Sequence, residues 1–544
     1  MARLRRPLAA FSLVAILGLL AAACGGSTAS SGTASASASA PAATASASKS
    51  GGASAAGANR PVRVGMDVDA GTLDPRLMTD TTAYRVTALI YDGLVLLDDK
   101  LQPQPDLATS WDAPNPTTYV FHLRQGVKFQ DGTPLTADDV VYTYTTITDP
   151  ALKSPMRALY APIKSVVAID PNTVQFNLSK PYAPLLQYLD LGIVPKHIAS
   201  TDATSLAQHP VGTGPFTFQS WAKNSKIELV ANKDYWGGAP TVPGVEIDVI
   251  PDNSARAAAL EAGNVDLIMS PMSSDDITRL QGESSRITAT TMAGLGETFF
   301  TMNTKDPILS DVRVRQAVAH LIDQQTIITQ IYKGVDKPAV SILLPSWTAY
   351  TDTIKQPAYD PAAATQLLQQ AGWTKGSSGW AKGGQPLKLV LQTHTEDPNR
   401  VQTIEFLQNQ FQGFGIQATV KTSDFASFLA DLLAGRYQFG MLGGLNWINP
   451  DRGLYNSFHT GGTNFSFYSN PQVDQLLDDA RSSSDAAQQT KDYQQFATIL
   501  SQDVPYEVLS YQGYQAFVGN SLQGYVVNPR GNLRSLAQAH LTGS

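Results

Sequence analysis

The apolar residues of this chain follow two different periods, and the change between them falls near residue 300. Upstream of it, segments such as 119–124 and 173–178 alternate apolar and polar residues, which predicts half-buried strands. Downstream, the spacing becomes that of helices. The first of these helices is expected to be capped by Ser310 and to bury a stripe formed by Val314, Ala317, Val318 and Leu321.

Further helices and strands are expected to alternate along the second half of the chain. Asp360 and Pro361 are typical of a helix start, and Gly372 of its end. A helix is predicted near 401–412 with Gly413 at its end, then a strand near 416–420, a helix after Ser423 and a strand at 437–442. Another helix begins at Pro471, and residues 504–527 return to a strand pattern. This alternation predicts a doubly wound α/β lobe.

The amino terminus has the order of a secretory signal, and the prediction assigns residues 1–23 to a signal peptide. Basic residues are followed by thirteen mostly apolar ones at 8–20, a run too short to span a bilayer, and then by small residues. Cys24, the only cysteine, follows three alanines. This setting resembles a lipoprotein box in which Cys24 is acylated, although Ala21 stands where such boxes usually carry leucine. The alternative is an ordinary signal peptide with an unmodified cysteine.

Residues 24–59 are predicted to form a lipid-anchored, disordered tether. They are almost wholly Ser, Ala, Gly and Thr with a single charge, so they cannot bury enough apolar surface to fold. The formal net charge of −7 gives no indication of a nucleic-acid partner. A single cysteine also excludes an internal disulfide. Residues 60–544 are too many for one core and should divide into two or three lobes.

The sequence contains no recognisable catalytic motif. It lacks a Gly-x-Ser-x-Gly elbow, a His-Glu-x-x-His pair, a phosphate-binding Gly-x4-Gly-Lys-Ser/Thr loop and a dinucleotide-binding Gly-x-Gly-x-x-Gly. The seven histidines are scattered, and no two have ligand spacing. An enzyme is therefore disfavoured, and neither a cofactor nor a metal is expected.

Several blocks, in order along the chain, carry a family resemblance. They are Tyr91-Asp-Gly-Leu-Val95, Leu107-Ala-Thr-Ser-Trp111, Asp131-Gly-Thr-Pro-Leu-Thr-Ala-Asp-Asp-Val140, Val211-Gly-Thr-Gly-Pro-Phe216 and Asn232-Lys-Asp-Tyr-Trp-Gly-Gly238. The chain resembles the family 5 solute-binding proteins of ABC importers, the group of oligopeptide, dipeptide and nickel receptors. The likeness extends over nearly all of residues 61–541.

The resemblance implies a two-lobed α/β fold like that of periplasmic binding proteins (type II, cluster C) with an inserted subdomain. Lobe I would comprise residues 60–91, 205–300 and 505–544, the inserted subdomain 92–204, and lobe II 301–504. A peptide-like or other polar solute would be captured between the lobes and delivered to ABC permease subunits. The protein is then expected to be a monomer, held by the lipid on Cys24 at the outer face of the cytoplasmic membrane.

The resemblance also suggests ligand-binding residues in the segment 443–450. In peptide-binding members the matching loop carries an aspartate four residues before the proline, and its carboxylate holds the peptide's ammonium group. Here Asn446 has that place before Pro450. A neutral amide cannot offset a desolvated ammonium, but it suits hydroxyls and amides. The hypothesis is a receptor for oligosaccharides, or for peptides with a blocked or modified terminus.

Other residues join this prediction, with alternatives. Trp447 would offer an aromatic wall, although it could equally be core, and Asn449 would bind beside it. Asn446 and Asn449 could instead merely shape a turn. A shifted alignment would make Asp451 the acid. Three aromatic residues resemble cleft-lining positions more loosely: Trp347, Tyr506 and Tyr511.

Two rival classes of function stay open on the sequence alone. A secreted hydrolase would turn a candidate ligand over. A receptor that signals rather than feeds a transporter would be encoded beside sensor genes instead of permease genes.

Overall fold

The computed structural model describes residues 59–270, 272–443 and 447–542. Both Cys24 and Asn446 lie outside these residues. Within them, no helix combines the length and the apolar character that crossing a membrane requires.

Strands form one large sheet, one four-stranded sheet and several short ribbons. The four-stranded sheet contains Ala108–Asn115, Thr118–Leu123, Thr173–Leu178 and Ile163–Asp170, in that order. The ribbons contain Val95–Leu97, Pro103–Pro105, Thr374–Gly376, Gly379–Lys382, Gln385–Pro386, Leu522–Gln523 and His540–Leu541.

The large sheet has eleven strands, which come from the beginning, the middle and the end of the described chain. From one edge to the other its strands are Gln417–Ser423, Lys388–His394, Phe439–Gly443, Ile287–Met302, Tyr506–Gly519, Leu267–Ile268, Val62–Met66, Gly244–Val249, Lys226–Ala231 and Phe216–Ala222, with Lys337–Pro338 pairing beside Tyr506–Gly519.

Helices cover the sheet and fill the connections. The α-helices are Thr81–Ile90, Ala137–Thr148, Arg157–Tyr160, Leu185–Tyr188, Lys196–Ala199, Asn253–Glu261, Ser274–Gly282, Val312–Ala319, Gln324–Gln330, Pro361–Gln370, Pro398–Phe414, Phe425–Leu433, Asn456–Phe458, Pro471–Ser482 and Ala486–Asp503. Short 3₁₀ turns occur at Pro150–Leu152, Ser205–Ala207 and Arg534–Ala537, and a π-helical turn at Asp451–Tyr455.

Two long antiparallel strands join the halves of the large sheet. Ile287–Met302 pairs with Tyr506–Gly519 over most of its length, but the pairing breaks between Ala293 and Glu297. On one side of the break, Leu267–Ile268 pairs with the end of the second strand. On the other side, Phe439–Gly443 pairs with the end of the first strand. The same two strands therefore belong to both halves of the molecule.

Buried apolar residues form separate clusters along this sheet. The first cluster joins residues from 62–91, 194–269 and 516–541, so the two ends of the described chain meet in one core. The second collects residues from 94–193 with Leu295 and Ile448. Two more lie within 299–511. Burial of these residues is the main force that holds each part together.

Local structure agrees with many of the predicted elements and corrects two helix ends. The strands near 119–124 and 173–178 and the helix after Asp360 are confirmed. Ser310 as a cap is wrong: its hydroxyl donates to the Pro307 carbonyl, and Asp311 accepts the Arg313 N–H instead. Gly413 as a helix end is also wrong. The helix continues to Phe414 because Gly415, with φ of 100°, takes the left-handed conformation.

Candidate functional site

A cavity of about 650 Å³ opens between parts of the chain that belong to different apolar clusters. Its lining residues come from 78–96, 155–160, 188–192, 447–465 and 530–534. A volume of this size is typical of small-molecule sites in proteins. The cavity is therefore the candidate site.

Aromatic side chains form much of the wall. Such rings offer broad apolar faces, while phenol and indole groups add hydrogen bonds at their edges. The aromatic lining residues are Tyr84, Tyr91, Tyr160, Tyr188, Trp447 and Phe465.

Trp447 lines the cavity, and two neighbours fix its position. Trp347 stacks on it with ring centroids 6.2 Å apart and donates its indole N–H to the Trp447 carbonyl at 3.2 Å. Gly453 packs against the Trp447 ring: a Cβ at position 453 would lie 2.2 Å from Trp447 Cδ2. Trp347 itself is not a lining residue, so it supports the cavity wall from behind.

Asn449 holds the turn after Trp447. Its Oδ1 accepts the Arg452 backbone N–H at 2.9 Å and the Tyr188 hydroxyl at 3.4 Å. The side chain is buried and does not line the cavity. The structure thus gives Asn449 a turn-shaping contact, as the alternative interpretation expected.

Asp451 is a buried partner of Arg481. The Arg481 guanidinium donates to both carboxylate oxygens, at 2.6 and 3.2 Å. Burial raises the pKa of Asp451, and the hydrogen bonds from Arg481 oppose that rise. Asp451 does not line the cavity, so the shifted alignment that made it the ligand's acid is not supported.

Among the described residues, five charged ones line the cavity, and four of these have hydrogen-bond or ion-pair partners there. Arg530 pairs with Asp190 and lies 4.2 Å above the Tyr84 ring centroid. Asp80 accepts the backbone N–H groups of Ala83 and Gly71, at 2.7 and 3.1 Å. The remaining two are Arg534 and Arg452.

Arg534 belongs to a buried network beneath the cavity. Its guanidinium pairs with Asp92 and, at 2.9 Å, with Asp106. Asp92 also accepts the Trp236 indole N–H at 2.7 Å and the Thr213 hydroxyl at 2.8 Å. Burial raises the pKa of Asp106 to about 7 although the Arg534 charge opposes the rise. This network connects the carboxyl-terminal tail with two earlier segments.

Two predicted residues lie away from the cavity. Tyr506 stacks on Phe299 with centroids 4.1 Å apart, inside an apolar cluster. The Tyr511 hydroxyl donates to the Ser341 carbonyl at 2.9 Å and accepts two backbone N–H groups. Both rings pack in the interior of the described structure.

The sequence interpretation missed most of the wall. Tyr84, Tyr160 and Tyr188 come from segments far from 443–450, and none stands in a motif that marks a site. Arg452 could have been noticed, because it lies only six residues after Asn446. Within the described part of the chain, no cluster of three or more His, Cys, Asp or Glu side chains could hold a metal ion.

Comparison with known proteins identifies a consistent group of relatives. Residues 102–465 match the profile described as bacterial extracellular solute-binding proteins, family 5 middle. The chain is 28% identical to the oligopeptide-binding protein AppA of Bacillus subtilis (strain 168), over 98% of this chain and 99% of AppA. It is 29% identical to the dipeptide-binding protein of Escherichia coli (strain K12), over 84% of this chain and 90% of that protein.

Solved structures show the same fold. AppA from Bacillus subtilis in complex with a nonapeptide has a TM-score of 0.73 at 27% identity, covering 89% of this chain and 99% of that one. DppA from Helicobacter pylori in complex with the peptide STSA has a TM-score of 0.73 at 28% identity, with the same coverage. The predicted two-lobed α/β fold is confirmed by these neighbours.

Proposed function

Since the chain belongs to the bacterial extracellular solute-binding proteins of family 5, we propose that it captures a peptide-like or other polar solute in the 650 Å³ cavity and delivers it to the permease of an ABC importer. Its relatives are binding proteins, and the chain is not an enzyme. The observation that carries the proposal is the cavity itself, whose walls come from separate apolar clusters and combine aromatic rings with charged groups.

The division into lobes is part of this proposal. Lobe I would be 60–91, 205–300 and 505–544, the inserted subdomain 92–204, and lobe II 301–504. The buried residues of four apolar clusters come from segments with bounds similar to those of these lobes. The break in strand pairing between Ala293 and Glu297 leaves the connection between the halves with fewer backbone hydrogen bonds. Rotation about these two strands would close the cavity around a solute.

The solute class is narrowed by Asn446, which directly precedes the cavity-lining Trp447 in the sequence. An amide in place of the carboxylate disfavours a free ammonium and favours N-blocked or modified peptides. An oligosaccharide is the alternative, and the aromatic lining that includes Trp447 supports it, because sugar rings pack against aromatic side chains. Trp347, Asn449, Tyr506 and Tyr511 would contribute by supporting this wall or the strands behind it.

Binding should make the molecule more compact. A solute that contacts both sides of the cavity only when they approach stabilises the closed state by its differential affinity. Small-angle scattering with saturating N-acetylated casein peptides, or with β-linked oligosaccharides, should show a smaller radius of gyration for one of them. Trp447→Ala should lose this change, whereas Trp111→Ala, a tryptophan away from the cavity, should keep it. An unchanged radius despite proven binding would refute closure.

Acylation of Cys24 is proposed as the membrane anchor, because the thiol stands between a signal-like run and the stretch 25–59, which is rich in Ser, Ala, Gly and Thr. A diacylated cysteine holds a protein at a membrane, whereas one acyl chain binds it only marginally. In a Gram-positive host, or in spheroplasts, Cys24→Ala should release the protein into the medium. Ser27→Ala, which keeps the thiol, should stay with the membranes. Membrane retention of Cys24→Ala would rule out the anchor.

A further inference from the structure

Arg452 is the charged residue of the cavity wall that lacks a partner within the described residues. Its backbone N–H is bonded to Asn449, but its guanidinium forms no hydrogen bond or ion pair there. Asp190 and Arg530 neutralise each other, and Arg534 has two carboxylates. Asp80 is committed to two backbone N–H groups. The positive charge of Arg452 is thus the one available to a solute.

The backbone around Arg452 is held firmly. Asp451, its neighbour, is fixed by the buried pair with Arg481, and Asn449 fixes the Arg452 amide. Arg452 lies in the π-helical turn Asp451–Tyr455, and such turns occur frequently at functional sites. Gly453, the next residue, packs against Trp447. The segment 447–452 therefore contributes both Trp447 and Arg452 to the lining of the same cavity.

The charge of Arg452 also acts on Tyr188, another residue that lines the cavity. Burial raises the pKa of the Tyr188 hydroxyl to about 12, and Arg452 is among the groups that oppose this rise. Tyr188 lines the same cavity, and its hydroxyl donates to Asn449 Oδ1 at 3.4 Å. If the cavity closes, the guanidinium loses water, which is unfavourable for a charge that has no counter-charge bonded to it. An oxyanion of the solute would remove that penalty.

We propose that Arg452 is a specificity-determining residue that binds an oxyanion, so that the solute of this receptor is an acidic molecule bearing a carboxylate or a phosphate. The planar guanidinium donates two parallel hydrogen bonds to either group. This inference rests on the proposed function. It deepens that function, because blocked peptides keep their carboxyl terminus and acidic oligosaccharides carry carboxylates, whereas neutral sugars offer neither group.

Retention of solutes from defined mixtures tests the inference. The protein is equilibrated with a peptic digest of casein that is N-acetylated after digestion and contains carboxylates and phosphates, or with an acid hydrolysate of pectin, which contains uronic acids. Rapid gel filtration and mass spectrometry then identify what stays bound. Each mixture is also used after methyl esterification, which removes the carboxylate charge, and the casein digest after phosphatase treatment.

The wild type should retain acidic solutes and lose them after the treatment that removes the recognised group, so the two treatments distinguish carboxylate from phosphate. Arg452→Gln should retain at least about tenfold less acidic solute than the wild type. Arg452→Lys should retain an intermediate amount, because lysine keeps the positive charge but not the two parallel N–H donors of the guanidinium. Arg436→Gln is the matched control. Arg436 is exposed, pairs with Asp431 and does not line the cavity, so this variant should bind like the wild type.

Two results would overturn the inference while leaving the proposed function intact. One is retention of solutes without an acidic group, and the other is equal retention of acidic solutes by Arg452→Gln. If the wild type retains nothing from either mixture, the proposed function itself fails, and the role of Arg452 fails with it.

Discussion

The Arg534→Gln variant should lose about 3–5 kcal/mol of the free energy of unfolding, because the substitution leaves buried carboxylates without their cation. Asp92 is fully buried and Asp106 is 4% exposed at the side chain. The other side-chain hydrogen bonds of Asp92 come from neutral groups such as Trp236 and Thr213, which cannot offset its negative charge. Glutamine retains a donor but not the charge.

Urea denaturation followed by circular dichroism measures this loss. Arg313→Gln is the control, because Arg313 pairs with Asp311 on the surface and exposed pairs contribute at most about 1 kcal/mol. Similar small losses in both variants would show that the Arg534 network does not stabilise the fold. The Arg534 variant should also bind solute less well, since Arg534 lines the cavity and its network supports that wall.

Asp106→Asn should change how stability depends on pH. The folded-state pKa of Asp106 is raised to about 7, above the value of about 3.9 for an unfolded chain. Between these two pH values the folded protein binds a proton at Asp106 that the unfolded chain has released. The contribution of Asp106 to the free energy of unfolding is therefore complete below about pH 4 and is lost as the pH rises through 7. Asparagine is neutral throughout and lacks this loss.

Between pH 5 and 8, the free energy of unfolding of Asp106→Asn should therefore rise relative to the wild type by on the order of 2 kcal/mol. Denaturation curves across this pH range measure the difference. Asp138→Asn, which removes an exposed carboxylate paired with Lys196, should show a nearly constant difference from the wild type. A constant difference for Asp106→Asn as well would contradict the elevated pKa.

Local sequence patterns predicted the elements of the fold better than their assembly. The strand at 173–178 and the helix Pro361–Gln370 follow from alternation and capping within a few residues. The large sheet does not, because Val62–Met66 pairs with Gly244–Val249, nearly two hundred residues away. Gly212 shows the same limit: a Cβ there would lie 2.1 Å from the Ile90 carbonyl oxygen, a contact that only the fold reveals.

The site divides in a similar way. Trp447 could be predicted, because it stands in a loop that resembles the family's ligand-binding loop, and it lines the cavity. Asn449 was found by the same reasoning, yet it supports the turn. Tyr160 and Tyr188 reach the cavity only through tertiary packing, so no local pattern distinguishes them from the interior rings of Tyr506 and Tyr511.

The meeting of both chain ends in one apolar cluster determines when that part can fold during synthesis. Residues from 62–91 are made first, yet their cluster includes residues from 516–541. Leu267 and Ile268 likewise pair with Val518 and Phe517, so this part of the sheet cannot form until those residues have been synthesised. Contacts of such long sequence separation slow folding, because a large loop must close before they form. The growing chain thus cannot complete its first core until residues 516–541 have been synthesised. This delay would keep the chain unfolded for the export that the signal-like amino terminus predicts.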